Sequence, residues 1–309
     1  MSPADIARLF ALAAVWSISF VFQRVLVPVL GPVWVPMLRA LIAGVALCAW
    51  FAVIGRDGRV REHWRGYAFV GVLNCALPFV FYGLAAIHLP ASYLVITNAL
   101  VPLVAAPLSA VWLGERLTLA KVIGLLAGAA GVALVSRAGP ITPDATFAWS
   151  IAACLGAVLC YALSGVWLKK RGGHLDPIAA AGWSQLFAGF VLIPALPFAP
   201  IKGAITPLIV ANVFALALLC SGVAYLLYFR LIANVGPTRA MTVTFLMPAL
   251  GMLWGVLFLD EIVTLPMIAG AALIIAGTAV VLRRPRSIAP PQRDQSRAPV
   301  PPPRPCRSR

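Results

Sequence analysis

Two stretches of the sequence repeat each other and determine how the chain is organised. Residues 101–135 read VPLVAAPLSAVWLGERLTLAKVIGLLAGAAGVALV, and residues 247–281 read MPALGMLWGVLFLDEIVTLPMIAGAALIIAGTAVV. A shift of 146 positions aligns the two without a gap, and polar and helix-breaking residues match as well as apolar ones. The matched pairs are Pro102 with Pro248, Glu115 with Glu261, Thr118 with Thr264, Gly124 with Gly270, and Gly131 with Gly277. The chain therefore contains an internal repeat.

The composition around these stretches is that of a membrane protein. Of the 309 residues, 62% are hydrophobic and only 11% are charged, whereas a soluble protein carries about 25% charged residues. The mean hydropathy is +0.97. Too few polar residues are present to cover the surface of a soluble fold of this length. This excludes an ordinary soluble enzyme, a disordered chain and a disulfide scaffold, and it indicates a polytopic membrane protein.

Apolar stretches recur along the chain at the length that an α-helix needs to cross a bilayer. We expect ten transmembrane helices, since lipid-exposed backbone must satisfy its hydrogen bonds within the segment. The predicted spans are roughly 4–27, 32–54, 66–88, 90–113, 118–137, 146–168, 176–199, 207–232, 236–259 and 263–282. The fold class is therefore an all-α bundle of ten membrane helices.

The net charge of +15 reflects membrane topology rather than a nucleic-acid-binding surface. If the N-terminus is inside, 20 of the 24 basic residues fall in inner segments or the C-terminal tail, and only Arg24, Arg137 and Lys202 fall outside. Basic residues are enriched in cytoplasmic loops. We therefore predict a multi-pass protein of the inner (plasma) membrane with both termini inside, and no nucleic-acid partner.

Each half of the chain holds five predicted spans, and an odd number reverses the direction of the second half. We divide the chain into a first repeat at 1–137, a second repeat at 138–282, and a tail at 283–309 with eight Arg and eight Pro. The tail is expected to be disordered and to lie near anionic lipid, or to offer a proline-rich docking motif. Inverted repeats are a recurring architecture of secondary transporters, with the substrate site near the midplane between the halves.

The doubled pattern Pro-x12-Glu-x2-Thr-x5-Gly-x6-Gly resembles the EamA domain of the drug/metabolite transporter superfamily. Residues 14–17 (AVWS) and 38–40 (LRA) are also similar to the start of that domain. The resemblance covers about residues 4–282 and implies a five-plus-five inverted bundle that carries small metabolites across the inner membrane, often outward. The second copy departs from the first at Asp260, which replaces Gly114, and at Gln185, which replaces Arg39.

Arg39 is the sharpest candidate for substrate binding. It lies about seven residues into the second span, roughly 10 Å below the membrane boundary. An arginine at such a position usually faces a cavity or a partner. One interpretation is that Arg39 holds an anionic group of the substrate, for example a carboxylate, by a forked hydrogen bond. The other is a structural arginine that caps backbone carbonyls or reaches to the outer surface.

Aromatic and small polar residues recur near the middle of the other spans. Asn74, Pro78 and Tyr82 share one helical face, and so do Ser221 and Tyr225. A polar side chain in hydrocarbon needs a partner, which either a wet cavity or a neighbouring helix can supply. The predicted substrate-binding set is Arg39, Trp16, Asn74, Tyr82, Asn98, Tyr161, Trp183, Gln185, Tyr225 and Thr242.

None of the nine acidic residues lies in the middle of a span. Ion coupling usually uses an intramembrane carboxylate, so we expect a facilitator or exchanger, or alternatively coupling through Glu115 or Glu261 at a helix end. The most direct interpretation is a transporter that exports small organic metabolites such as amino acids. A channel, a lipid flippase or an intramembrane enzyme remain as alternatives. No catalytic motif stands out, so we predict no enzyme activity, no cofactor and no metal. The expected partners are a small-molecule substrate and membrane lipid, and the protein is a monomer or homodimer.

Overall fold

The structure is a computed structural model, and it describes residues 1–55, 58–138, 144–236, 240 and 242–282. All regular secondary structure in these residues is helical. The tail at 283–309, with its expected disorder and lipid contact, lies outside the described residues, as do Arg56, Asp57 and Arg239.

Ten helical segments follow one another along the chain. Nine of them, counted within the described ranges, are long and apolar enough to cross a membrane, and α9 is a shorter apolar helix. The segments are α1 (Pro3–Leu30), α2 (Trp34–Val53), α3 (Val60–Ala86), α4 (Ala91–Leu113), α5 (Leu119–Ala138), α6 (Ala145–Arg171), α7 (Pro177–Phe198), α8 (Pro207–Val235), α9 (Val243–Leu259) and α10 (Leu265–Leu282). The prediction of an all-α polytopic bundle of about ten helices is confirmed. Helix α3 begins at Val60, before the predicted residue 66.

Local sequence signals set where several helices begin. A side-chain oxygen just before the helix accepts a hydrogen bond from a backbone N–H of the first turn, which satisfies a donor that the helix itself leaves open. Proline in the first turn reinforces α1, α7 and α8, because the missing N–H costs nothing there. The capping residues are Ser2 for α1, Asp144 for α6, Asp176 for α7 and Thr206 for α8.

Two helices contain a π-helical segment that the sequence pattern did not predict. The segment in α3 spans Val72–Ala76, and the segment in α8 spans Ala215–Val223. Shifting the first by 146 positions places it inside the second, so both repeats carry the feature at the equivalent site. In α3, Pro78 has no N–H to bond the carbonyl of Asn74, which favours the wider turn. Such segments occur frequently at functional sites.

Equivalent helices of the two repeats pack on each other in opposite directions. In the α5–α10 contact, Gly124 lies against Gly277 and Gly131 lies against Gly270. The repeat shift exchanges these two contacts, which indicates a pseudo-twofold axis between the helices. The α2–α7 contact is also antiparallel, because Leu41 meets Gly189 while Cys48 meets Gly182. The first repeat therefore runs opposite to the second.

Contacts between non-equivalent helices obey the same symmetry. Helix α1 packs on α9, and its equivalent α6 packs on α4. Helix α2 packs on the π-helical part of α8, and its equivalent α7 packs on that of α3. We call the end of the bundle where α1 begins the N-terminal face and the other end the opposite face. The repeat interface runs through the bundle from one face to the other.

Candidate functional site

Arg39 is buried at the interface between the repeats. Its residue is only 6% exposed, although it lies in a membrane-spanning helix. The Nε atom donates a hydrogen bond to the Ser221 hydroxyl at 2.9 Å, and the guanidinium carbon lies 4.0 Å from the centre of the Phe79 ring. Among the residues that the structure describes, no carboxylate forms an ion pair with Arg39. Within the described part of the chain, the site therefore holds a buried positive charge without a carboxylate partner.

Tyr225 connects the neighbourhood of Arg39 to α1. Its hydroxyl accepts a hydrogen bond from Asn74 at 3.4 Å. The ring of Trp16 lies 6.3 Å from that of Tyr225 and 5.2 Å from that of Tyr228. Ring separations in this range are typical of favourable aromatic contacts. The structure thus brings the predicted residues Trp16, Asn74 and Tyr225 together across the two repeats.

Tyr82 is the centre of a second group. Its hydroxyl donates to the Asn98 side-chain oxygen at 3.2 Å. Its ring lies 5.2 Å from the ring of Phe20 and 6.4 Å from that of Tyr161. Tyr161 also packs against the apolar cluster that contains Phe79, the residue beneath Arg39. Asn74 and Tyr82 were predicted to share one helical face, but the residues they contact differ.

The remaining predicted residues lie in three different surroundings. Gln185 is fully buried, and its Nε2 donates to the carbonyl of Ala181 at 3.2 Å. Trp183 packs against the cluster around Tyr67, near the start of α7. Thr242 immediately precedes α9 and is half-buried. Of these three, Gln185 alone is both buried and polar in the interior of a helix.

Sequence reasoning left Phe79 and Trp254 out of the predicted set. Phe79 supplies the aromatic face for Arg39, and the Trp254 indole N–H donates to the Ser17 hydroxyl at 3.0 Å. The sequence feature that could have indicated them is a serine within an apolar stretch. Ser17 accepts a hydrogen bond from Trp254, and Ser221 accepts one from Arg39. Phe79 itself is one apolar residue among many in α3.

The repeated glutamates join the repeats at the two faces. Glu115 pairs with Lys121 at 3.2 Å and with Lys169 of the other repeat. The hydrogen bonds from these two lysines hold the pKa of Glu115 below its ordinary value. At the opposite face, Glu261 accepts hydrogen bonds from the backbone N–H groups of Ala91 and Ser92 at 2.5 and 3.0 Å. Equivalent residues thus make different contacts, and each glutamate has at least one contact that crosses between the halves, to Lys169 for Glu115 and to Ala91 and Ser92 for Glu261.

A ten-helix membrane bundle with opposed repeats and a buried polar site between them is the architecture of a secondary transporter. The sequence profile of the EamA-like transporter family matches residues 6–137 and 148–283. This chain belongs to that family.

Named relatives support the same assignment, and a solved structure shares the fold. The "Uncharacterized transporter YvbV" of Bacillus subtilis is 30% identical over 281 residues, covering 87% of this chain and 88% of that protein. The "Probable terminal-alkyne amino-acid exporter" of Streptantibioticus cattleyicolor is 27% identical over 273 residues, covering 87% and 90%. One crystal structure aligns with a TM-score of 0.63 at 21% identity, over 91% of this chain and 96% of that one, and shows a shared fold.

Proposed function

We propose that this protein exports small organic metabolites that carry a carboxylate, such as amino acids, by alternating access to a site between its repeats. The observation that carries the proposal is Arg39, a buried cation without a carboxylate partner among the described residues. A buried charge is costly unless it is paired. A substrate carboxylate would supply the pairing, and the guanidinium can bind it in a bidentate manner.

Two further observations support a carrier for anionic or zwitterionic molecules. The residues around Arg39 combine aromatic rings with the hydroxyl and amide groups of Ser221, Tyr225 and Asn74, as is typical of small-molecule sites. One relative is named as an amino-acid exporter. We further propose insertion in the inner membrane with both termini inside, as the distribution of basic residues favours.

We also propose that transport proceeds by facilitation or exchange. Asp5 is the one acidic residue that is buried in the part of the chain that the structure describes, and it lies in the first turn of α1 rather than near Arg39. Glu115 and Glu261 are engaged with lysines and with a helix N-terminus. An uncoupler should therefore leave the transport rate unchanged, and a collapse of substrate accumulation would contradict exchange without ion coupling.

The test of the proposed function compares metabolites retained by cells with and without the gene, followed by vesicle transport of the metabolites that differ. Arg39→Gln removes the charge and should reduce transport of a carboxylate at least tenfold, while Arg39→Lys keeps the charge but loses the forked geometry. Normal transport by both variants at normal expression would overturn the assignment of Arg39. A substrate that is purely cationic would overturn the carboxylate class.

A further inference from the structure

The symmetry of the fold pairs Arg39 with Gln185. The shift of 146 positions exchanges these two residues, and it also exchanges Ser221 with Cys75. Arg39 of α2 contacts Ser221 in the π-helical segment of α8. Gln185 of α7 is the equivalent residue, and α7 packs on the π-helical segment of α3, which contains Cys75. The bundle therefore holds two polar side chains at symmetry-related positions, the charged Arg39 and the neutral Gln185, which we call the two arms.

The neighbours of Gln185 along α7 place it beside the same site. Ala181, one turn before, belongs to an apolar cluster that packs against Tyr225. Ala188, one turn after, belongs to the cluster that contains Cys75 and Phe79. Side chains one turn apart lie on the same face of a helix. Gln185 thus lies on α7 between residues of two clusters, one packed against Tyr225 and one containing the Phe79 ring on which Arg39 stacks.

The amide of Gln185 is only half satisfied. Its Nε2 is used by the Ala181 carbonyl of its own helix, which leaves Oε1 pointing away from that bond. Oε1 has no hydrogen-bond partner among the described residues, although the residue is 0% exposed. A buried acceptor without a donor is unfavourable, and binding of a water, an ion or a ligand group with a donor would satisfy it.

We propose that Gln185 is the second arm of the substrate site and accepts a hydrogen bond from an amino or hydroxyl group next to the carboxylate held by Arg39. The inference rests on the proposed function and deepens it, because it specifies which carboxylates are preferred. A site that uses both arms selects 2-amino and 2-hydroxy acids over unsubstituted acids of the same size. Binding sites that hydrogen-bond a substrate group discriminate strongly against analogues that lack it.

The test uses matched sets of acids and the full-length protein in detergent and in proteoliposomes. Each set contains an amino, a hydroxy and an unsubstituted acid: alanine, lactate and propionate; leucine, 2-hydroxyisocaproate and 4-methylpentanoate; phenylalanine, 3-phenyllactate and 3-phenylpropionate. Binding is measured by calorimetry and transport by counterflow. We expect the amino and hydroxy acids of at least one set to bind about tenfold more tightly than the unsubstituted acid.

Gln185→Met keeps the length of the side chain and removes the acceptor, so it should abolish this preference while carboxylate binding persists. Gln185→Glu should retain binding of the amino acid and weaken binding of the hydroxy and unsubstituted acids, because the new charge repels a carboxylate that lacks an ammonium group. Ser150→Ala is the control, since Ser150 is a buried polar residue bonded to the Thr146 carbonyl of its own helix. It should retain the preference.

The outcomes separate this inference from the proposed function. If Arg39→Gln abolishes binding of all three acids but Gln185→Met retains the preference of the unmodified protein, the role of Gln185 is overturned and that of Arg39 stands. The same conclusion follows if the unmodified protein binds the three acids equally and Arg39→Gln binds none of them. If the unmodified protein binds none of the acids, both proposals fall.

Discussion

The two faces of the bundle are joined by different kinds of contact. At the N-terminal face, side chains bind side chains: the Asp5 carboxylate accepts from the Asn234 amide at 2.8 Å, and Glu115 pairs with Lys169. At the opposite face, the contacts between described residues involve backbone groups: the Val29 carbonyl accepts from the Lys202 and Gly203 N–H groups, both at 3.0 Å. The Trp34 indole likewise donates to the Ala199 carbonyl at 2.8 Å.

This difference has a consequence for how the faces open. Exposed ion pairs contribute about 0–1 kcal/mol each and are screened by salt. Hydrogen bonds between backbone N–H groups and a carboxylate contribute about 1.5–3 kcal/mol and do not depend on a mobile cation. We infer that the N-terminal face opens more readily than the opposite face. The equivalent residues Glu115 and Glu261 make this comparison directly testable.

Glu261→Ala should have the largest effect on stability. It removes a carboxylate that accepts from two backbone N–H groups at the start of α4 and leaves both donors without their partner. We expect a loss of about 2–3 kcal/mol, measured as a lower melting temperature in detergent. Glu261→Gln keeps one acceptor and should recover part of the loss. Equal stability of Glu261→Ala and the unmodified protein would show that the contact does not hold the opposite face.

Gly131→Ala tests the α5–α10 contact, whose contribution to stability can be compared with the contacts at the two faces. A Cβ at this position would lie 2.6 Å from the carbonyl oxygen of Gly270, which is backbone and has little room to move. We expect a loss of about 1–3 kcal/mol from overpacking of the α5–α10 contact, measured in the same melting assay.

The matched control for this substitution is Gly165→Ala in α6, where a Cβ meets no atom within 4 Å. It should be neutral, or stabilising by up to about 1 kcal/mol, because alanine favours the helix. A larger loss for Gly165→Ala than for Gly131→Ala would contradict the close helix crossing.

Glu115→Gln should cost less than Glu261→Ala, about 1 kcal/mol or less. The Glu115 carboxylate contacts two lysines near the surface, and water can replace either cation. The loss should also shrink in high salt, because salt screens the pair that Glu115→Gln removes. Measuring both glutamate variants at low and high salt tests the comparison. If the loss of stability depended on salt for Glu261→Ala but not for Glu115→Gln, the assignment of the two kinds of contact to the two faces would be contradicted.

The repeat was readable from sequence because it depends on residues with few alternatives. The glycines of the motif allow two helix backbones to touch, because a Cβ at Gly131 or Gly277 would lie 2.6 or 2.5 Å from a backbone oxygen of the facing helix. Arg39 was identifiable because a charge in an apolar span is rare. The π-helical segments were not predictable, since hydrophobic periodicity over five or nine residues does not distinguish a π-helical from an α-helical turn.

The sequence indicated which residues belong to the site better than it indicated what those residues contact. Trp183 and Tyr225 look alike in sequence, as aromatic residues inside apolar spans, yet Trp183 packs near Tyr67 while Tyr225 lies beside Asn74. Which face of a helix turns inward depends on the packing of all neighbouring helices, and apolar spans carry little amphipathic signal. Phe79 was missed for the same reason, because its role follows from the position of Arg39 rather than from its residue type.

The pH dependence of stability gives the smallest expected effect at the N-terminal face. Hydrogen bonds from Lys169 and Lys121 hold the pKa of Glu115 below its ordinary value of 4.5. Because the pKa is lower in the folded state, the ionised carboxylate stabilises the fold fully above about pH 4.5, and this contribution is lost as the pH falls further. The difference in melting temperature between the unmodified protein and Glu115→Gln should therefore be constant near neutral pH and vanish in acid. A difference that persists at pH 3 would show that Glu115 stabilises this face by packing rather than by charge.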